Sequence, residues 1–212
     1  MRTVAIALIM MLMTISNAFA DDHQNTLDYL KKIESANSAV KTFQGRFVQG
    51  RISKDGTHEA FEGMLYVAPD NMAMHYDKSD QELFMIQGDR IHMRRNGKTR
   101  EINLKFIKPM QSLKTTLLYS MQGKVASLAE SQSSYIVTAI ETGSEIVVEF
   151  RSKKKGKMGY EVIRNTYNSE SYLLKRMELI EFNGNSNIYT ISSAAVNEYV
   201  DPKIFDIDLY QQ

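Results

Sequence analysis

Between Thr42 and Leu104 apolar and polar residues alternate in short runs broken at Lys54-Asp55-Gly56, Pro69-Asp70-Asn71, Gln87-Gly88-Asp89 and Asn96-Gly97. Side chains of a strand point alternately to its two faces, and these breaks are turn formers, so the stretch predicts antiparallel strands joined by hairpins. The predicted strands are 42–53, 58–67, 71–76, 82–87, 90–95 and 99–104. Pro69 ends the second, because proline donates no ladder hydrogen bond. The alternation resumes over 135–141, 145–152, 160–168, 172–182 and 186–198, which brings the count to about eleven strands. A sheet of that size is expected to curl.

Two segments change period. Over 21–41, Leu27, Leu30 and Ile33 recur at helical spacing, with Asp21, Asp22 and Asp28 early and Lys31 and Lys32 late, as the helix dipole favours. Over 108–125, Leu113, Leu117, Leu118 and Met121 do the same after Pro109, which predicts a second amphipathic helix between the two runs of strands. Each apolar stripe needs a partner, and the sheet is the available surface.

The start of the chain reads differently. Arg2, the apolar run Val4 to Met13 and Ala18-Phe19-Ala20 describe a secretory signal peptide cleaved after Ala20. Of 212 residues, removal of the first 20 leaves 192, expected to form one domain, 21–212. Arg2 is the only charge lost, so the formal charge falls from +1 to 0, and nothing draws the protein to nucleic acid. The chain has no cysteine, which excludes thiol chemistry and disulfides.

Catalytic constellations are missing: there is no nucleophile elbow, zinc-protease helix, phosphate loop or dinucleotide fingerprint. A lipid-processing enzyme is therefore the weakest reading, and no cofactor is implied. His75 and His92 lie on neighbouring strands without an acidic residue at ligand spacing, so a metal site there is disfavoured. Lys153-Lys154-Lys155-Gly156-Lys157 falls at a hairpin tip and reads first as a solvated turn, with docking to an acidic partner as the minor alternative. The methionines are more informative. Met64, Met72, Met74, Met85 and Met93 cluster in the first run of strands. Met72, Met74 and Tyr76 share a face, and Leu83 with Met85 are expected on that face of the next strand. Methionine suits a surface that accepts variable apolar shapes, although an ordinary core is an equally good account of it.

Phe43-Gln44-Gly45-Arg46-Phe47-Val48-Gln49, Gly63-Met64-Leu65-Tyr66-Val67-Ala68-Pro69, Met72-Ala73-Met74-His75-Tyr76 and Leu83-Phe84-Met85-Ile86-Gln87-Gly88-Asp89 follow one another at a spacing that resembles the LolA family of periplasmic lipoprotein carriers. The resemblance implies an incomplete, strongly curved antiparallel β-barrel, mainly β, with an α-helical lid over an apolar cavity. It further implies a monomeric, non-enzymatic periplasmic carrier whose partners are acylated lipoproteins or other lipids, an inner-membrane release complex and an outer-membrane acceptor. The cavity wall expected from it is Phe43, Phe47, Leu65, Met72, Met74, Tyr76, Leu83, Met85, Ile91 and Met93, with Leu27, Leu30, Leu117 and Leu118 from the helices. An accessory module that senses lipid or lipoprotein and reports to a membrane partner is the alternative. One departure is visible: the family pattern has an arginine before the proline of the second strand, thought to hold the lid, where this chain has Ala68. Met74 and His92 stand where the carriers often have tryptophan.

Overall fold

The computed structural model describes residues 24–77, 82–95, 97–156 and 159–210. The predicted signal peptide, the first residues of the predicted first helix and Lys157 lie outside the described residues. Eleven strands form one antiparallel sheet: β1 (Phe43–Ile52), β2 (His58–Val67), β3 (Asn71–Tyr76), β4 (Leu83–Gln87), β5 (Arg90–Arg95), β6 (Lys98–Asn103), β7 (Tyr135–Thr142), β8 (Glu145–Ser152), β9 (Tyr160–Asn168), β10 (Leu174–Glu181) and β11 (Ser186–Val196). Helix α1 covers residues 24–37, α2 is Lys108–Met121 and α3 is Val125–Ser131. The expected second helix, 108–125, is α2, which stops a few residues earlier at Gly123, whose φ of +66° ends it as only glycine does cheaply, and α3 beyond it was not expected.

The strand order is β6-β5-β4-β3-β2-β1-β11-β10-β9-β8-β7. Two meanders meet at the pair of β1 and β11, and the sheet stays open, with β6 at one edge and β7 at the other. These edge strands are consecutive in the chain. The segment between them, which holds α2 and α3, therefore crosses from one side of the sheet to the other.

Register explains which side chains face the helices. Phe47 pairs with Gly63, Leu65 with Met74, Met74 with Phe84 and Phe84 with Met93, so one face runs through Phe43, Phe47, Leu65, Met72, Met74, Ile86 and Ile91. In the second meander Met177, Asn165 and Val148 share that face. Two irregular sites lie beside β1. A bulge sets Gly45 against both Ser193 and Ala194 of β11, with Ser193 at φ +52°. At Gly63 a Cβ would lie 1.9 Å from the His75 carbonyl oxygen, a distance no side chain tolerates.

The edges are protected in different ways. β6 carries Lys98, Arg100 and Glu101, charges that oppose further pairing. Along β7 the edge-facing Ala139 N–H donates to Thr26 Oγ of α1 at 3.1 Å, and Tyr29 OH donates to Glu141 at 3.2 Å, so α1 occupies the place of a twelfth strand.

The outer face has a smaller core of its own. Two 3-10 turns, Pro202–Phe205 and Ile207–Tyr210, lay Phe205 and Ile207 over Ala73, Leu83 and Met85. Tyr210 packs edge-on against His75 at 5.2 Å between ring centroids, and Tyr66 does so from the other side at 5.6 Å. Leu83 and Met85 therefore do not join the face of Met72, Met74 and Tyr76 as expected. Ala73 opposes Met85 and His75 opposes Leu83, so odd positions of β3 and β4 share the outer face.

The buried imidazoles under this strap titrate low. Burial holds His75 below its ordinary value, against a smaller upward pull from the Ile204 carbonyl. Burial also dominates at His92, where Glu101 and Asp208 pull up and Arg90 pulls down. A histidine whose proton binds less readily in the folded state contributes stability that is complete above its unfolded value and lost as pH falls from there through the lower folded one. Melting temperature is expected to start dropping as pH falls below about 6.5, above ordinary carboxylate titration. In a His75→Gln/His92→Gln variant that drop shrinks; a drop of unchanged size would contradict the assignment. In β2, Gly63→Ala is expected to cost about 3 kcal/mol, the upper end of overpacking, and to lower the melting temperature by about 6–12 °C. Gly50→Ala, with open space at its Cβ, is the control that should leave it unchanged.

Candidate functional site

The inner face of the sheet and the helices that cover it make one apolar cluster. From the sheet come Phe43, Phe47, Leu65, Met72, Met74 and Ile91, each at most 2 % exposed; from the helices come Leu30, Leu117 and Leu118, also buried. Tyr76 and Met93 are half-buried against the same cluster. Leu27 sits at its margin, lining a cleft. Twelve of the fourteen residues singled out in the sequence are thus brought to this face or its margin, and Leu83 and Met85 are not. The second meander supplies a wall that the list omitted, notably Ile146, Val148, Phe150, Met177 and Leu179. Their period-two alternation was a usable signal.

The sequence led to an expectation of guest space beneath the lid. Instead the lid's own side chains fill the face: Met121 reaches 2 % exposure, Val125 and Leu128 0 %, and Met72, Met74 and Met177 are interlocked with them. Room is found at the margins. An open cleft of about 420 Å³ lies between α1, α3 and β7, floored by Leu30, Ala126, Ala129 and Val137. A second, of about 290 Å³, lies between the start of α2 and β9, beside Leu113, Tyr160 and Ile163. Tyr135 borders both, its hydroxyl donating to the Tyr160 carbonyl at 2.9 Å.

Polar ties hold the helices at one end. Gln122, just past α2, donates from Nε2 to the carbonyls of Ala68 and Pro69, each at 3.1 Å. The tie at this position is thus present despite Ala68, but it is given by the lid to the sheet backbone. Asn165 donates to Ser120 Oγ at 2.8 Å and Tyr167 OH to the Ser120 carbonyl at 3.0 Å; burial drives the Tyr167 hydroxyl pKa far up, so it remains a donor. Asn37, at the end of α1, donates to the Ile33 and Tyr172 carbonyls at 2.9 and 2.8 Å and packs on Gly123. Glu34 accepts from the Ser127 N–H at 2.9 Å and from its hydroxyl at 2.5 Å. A buried hydrogen bond contributes about 1 kcal/mol net, so this cluster at residues 34–37 and 120–127 outweighs the single Ser112–Gln132 pair near the start of α2. No sequence signal marks Asn37 or Gln122, whose partners lie far along the chain.

At the deep end Tyr76 stacks edge-on against Phe47 at 5.3 Å and donates to Gln49 at 2.8 Å. Gln49, 2 % exposed, donates in turn to Asn187 and Tyr189. These groups are satisfied, and no nucleophile with an adjacent base is among them. Among the described residues no cluster of three or more histidine or acidic side chains is placed to hold a metal, and no helix is long and apolar enough to cross a membrane.

The family model of the outer membrane lipoprotein carrier protein LolA matches residues 38–208. The chain belongs to the LolA family. No curated protein matches it significantly in sequence. Among solved structures, a putative outer membrane lipoprotein-sorting protein domain from Vibrio parahaemolyticus aligns with TM-score 0.49 and 8 % identity over 89 % of this chain and 99 % of its own. A LolA superfamily protein from Nitrosomonas europaea aligns with TM-score 0.42 and 12 % identity, over 87 % and 99 %. The complex of MucA and MucB from Pseudomonas aeruginosa contains a chain that aligns with TM-score 0.45 and 13 % identity, over 84 % of this chain and 59 % of its own.

Proposed function

We propose that the protein is a periplasmic carrier of acylated lipoproteins. The observation that carries this reading is the inner face itself: an apolar surface covered by helices whose polar ties concentrate at residues 34–37 and 120–127, most of the remaining attachment being apolar contact. In such an arrangement an acyl chain can take the place of the lid's side chains.

The magnitudes favour exchange. Leu117 and Leu118 leaving the core cost about 1.5–3 kcal/mol each, roughly 3–6 kcal/mol together. One sixteen-carbon chain gains about 0.8 kcal/mol per buried methylene, or roughly 12 kcal/mol. Binding is therefore favourable while the return of the lid offsets part of the cost of release, which suits a transporter better than a filled or a permanently empty cavity. Methionines at Met72, Met74 and Met177 accept the changed packing because their thioethers are flexible and polarizable. The 420 Å³ cleft beside α1 and α3 is the point of entry, since it already exposes Leu27, Ala126 and Ala129. In this reading the family's inner-membrane release complex and outer-membrane acceptor are the partners, and catalysis plays no part.

A sensor built on the same face would bind the same chains and differ in what the outside contacts. The cleft distinguishes the carrier's requirement from an inert core. Purified protein is expected to retain an N-palmitoylated peptide but not the same peptide without its acyl group. Ala129→Trp, which plugs the cleft from a half-buried position, should weaken retention about tenfold, the equivalent of about 1.4 kcal/mol, without lowering the melting temperature. Failure of the parent protein to retain any acylated peptide would sink the reading.

A further inference from the structure

The two clefts beside Tyr135 share a basic mouth. Lys31 of α1 and Lys153 at the end of β8 line the first, and Lys154 and Lys155 line the second. The hairpin tip that the sequence marks as a solvated turn is thus placed against an apolar opening. Its shape is fixed locally: Lys153 Nζ donates to the Ser133 carbonyl at 2.9 Å, and Ser152 Oγ donates to the Lys154 carbonyl at 2.8 Å.

These four ammonium groups differ from the bases on the outside of the same strands. There Arg151 and Arg164 pair with Glu149, Arg164 and Arg176 with Glu178, and Lys175 with Glu145. Among the described residues none of Lys31, Lys153, Lys154 and Lys155 has a carboxylate at ion-pair distance. Glu130 is the one acid lining either cleft. Four lysines against one glutamate leave the mouth strongly positive on a chain whose formal charge is +1 in full.

An acyl chain lying on Ala126, Ala129 and Val137 leaves its polar end beside Lys153. We propose that this rim reads that end: the mouth selects acylated peptides that carry acidic residues directly beside the acylated one. The inference rests on the carrier reading above and narrows its cargo. Lysine is suited to the task, because a compact cation on a flexible stem meets carboxylates on an extended peptide without demanding one geometry. Solvent-exposed pairs are individually weak, so selectivity comes from several at once and is sensitive to salt.

The test compares two N-palmitoylated peptides that are identical except that the three residues after the acylated serine are acidic in one and their amides in the other. The parent protein is expected to bind the acidic peptide about tenfold more tightly at low salt, with the preference fading in about 0.5 M salt. Lys153→Ser/Lys154→Ser/Lys155→Ser, confined to an exposed tip, should abolish the preference and leave the amide peptide's affinity unchanged. Lys31→Ser, on a separate element, should reduce it in part. Equal affinity of the parent for both peptides, or equal loss of both in the triple variant, overturns the proposal while leaving the carrier reading in place. Retention of neither peptide overturns both. Binding of palmitoyl lysophosphatidylglycerol as tight as that of the acidic peptide assigns the rim to a lipid headgroup and also overturns the proposal.

Discussion

An open sheet with one largely apolar face cannot leave that face to water, and the topology decides what covers it. β6 and β7 follow one another in the chain but stand at opposite edges of the eleven strands. The segment that joins them has to cross the sheet, and burial of its leucines makes the crossing adhere to the inner face. The lid is therefore a consequence of strand order and not an appended part. Helix α1 completes it from the side of β7, where Thr26 takes up an edge amide. Gly45 and Gly63 leave room for the close approach of neighbouring backbone beside β1.

The cover is unevenly attached. Around Asn37, Ser120, Gln122 and Ser127 it is held by directional bonds to buried backbone groups, which are costly to break without replacement. Over the rest, apart from Thr26 and Tyr29 at β7, the Ser112–Gln132 pair and the Lys114–Asp89 ion pair, it is held by contacts that any apolar group of similar volume could replace. This contrast gives a filled interior a use: the helix side chains keep the face dry between cargoes. Gln122 is one such anchor, donating to the carbonyls of Ala68 and Pro69.

Most strand limits were legible because turns announce themselves; 58–67, 71–76, 90–95, 145–152 and 160–168 match the structure residue for residue. Which residues share a face within a strand was equally clear, as with Met72, Met74 and Tyr76. Phase between strands was not. The link from Asp77 to Glu82 carries no sequence mark of whether β4 begins on the inner or the outer face, and so Leu83 and Met85 were assigned to the wrong one. Helix α3 was missed because its seven residues, Val125–Ser131, are too few to show a period after Gly123 has ended α2. Polar anchors were invisible for a different reason: Asn37 and Gln122 look like ordinary helix polar residues until Tyr172 and Ala68 are placed beside them.

The central claim is that cargo displaces α2 from the sheet while the anchored end stays put. The chain lacks cysteine, so spin labels can be attached cleanly at Gln111→Cys, exposed near the start of α2, and Thr190→Cys, exposed on the outer face of β11. The distance between them, measured with and without saturating N-palmitoylated peptide, reports the lid directly. A new, displaced population in the presence of the peptide is the predicted result. An identical distance distribution in protein demonstrably loaded with peptide would contradict the account.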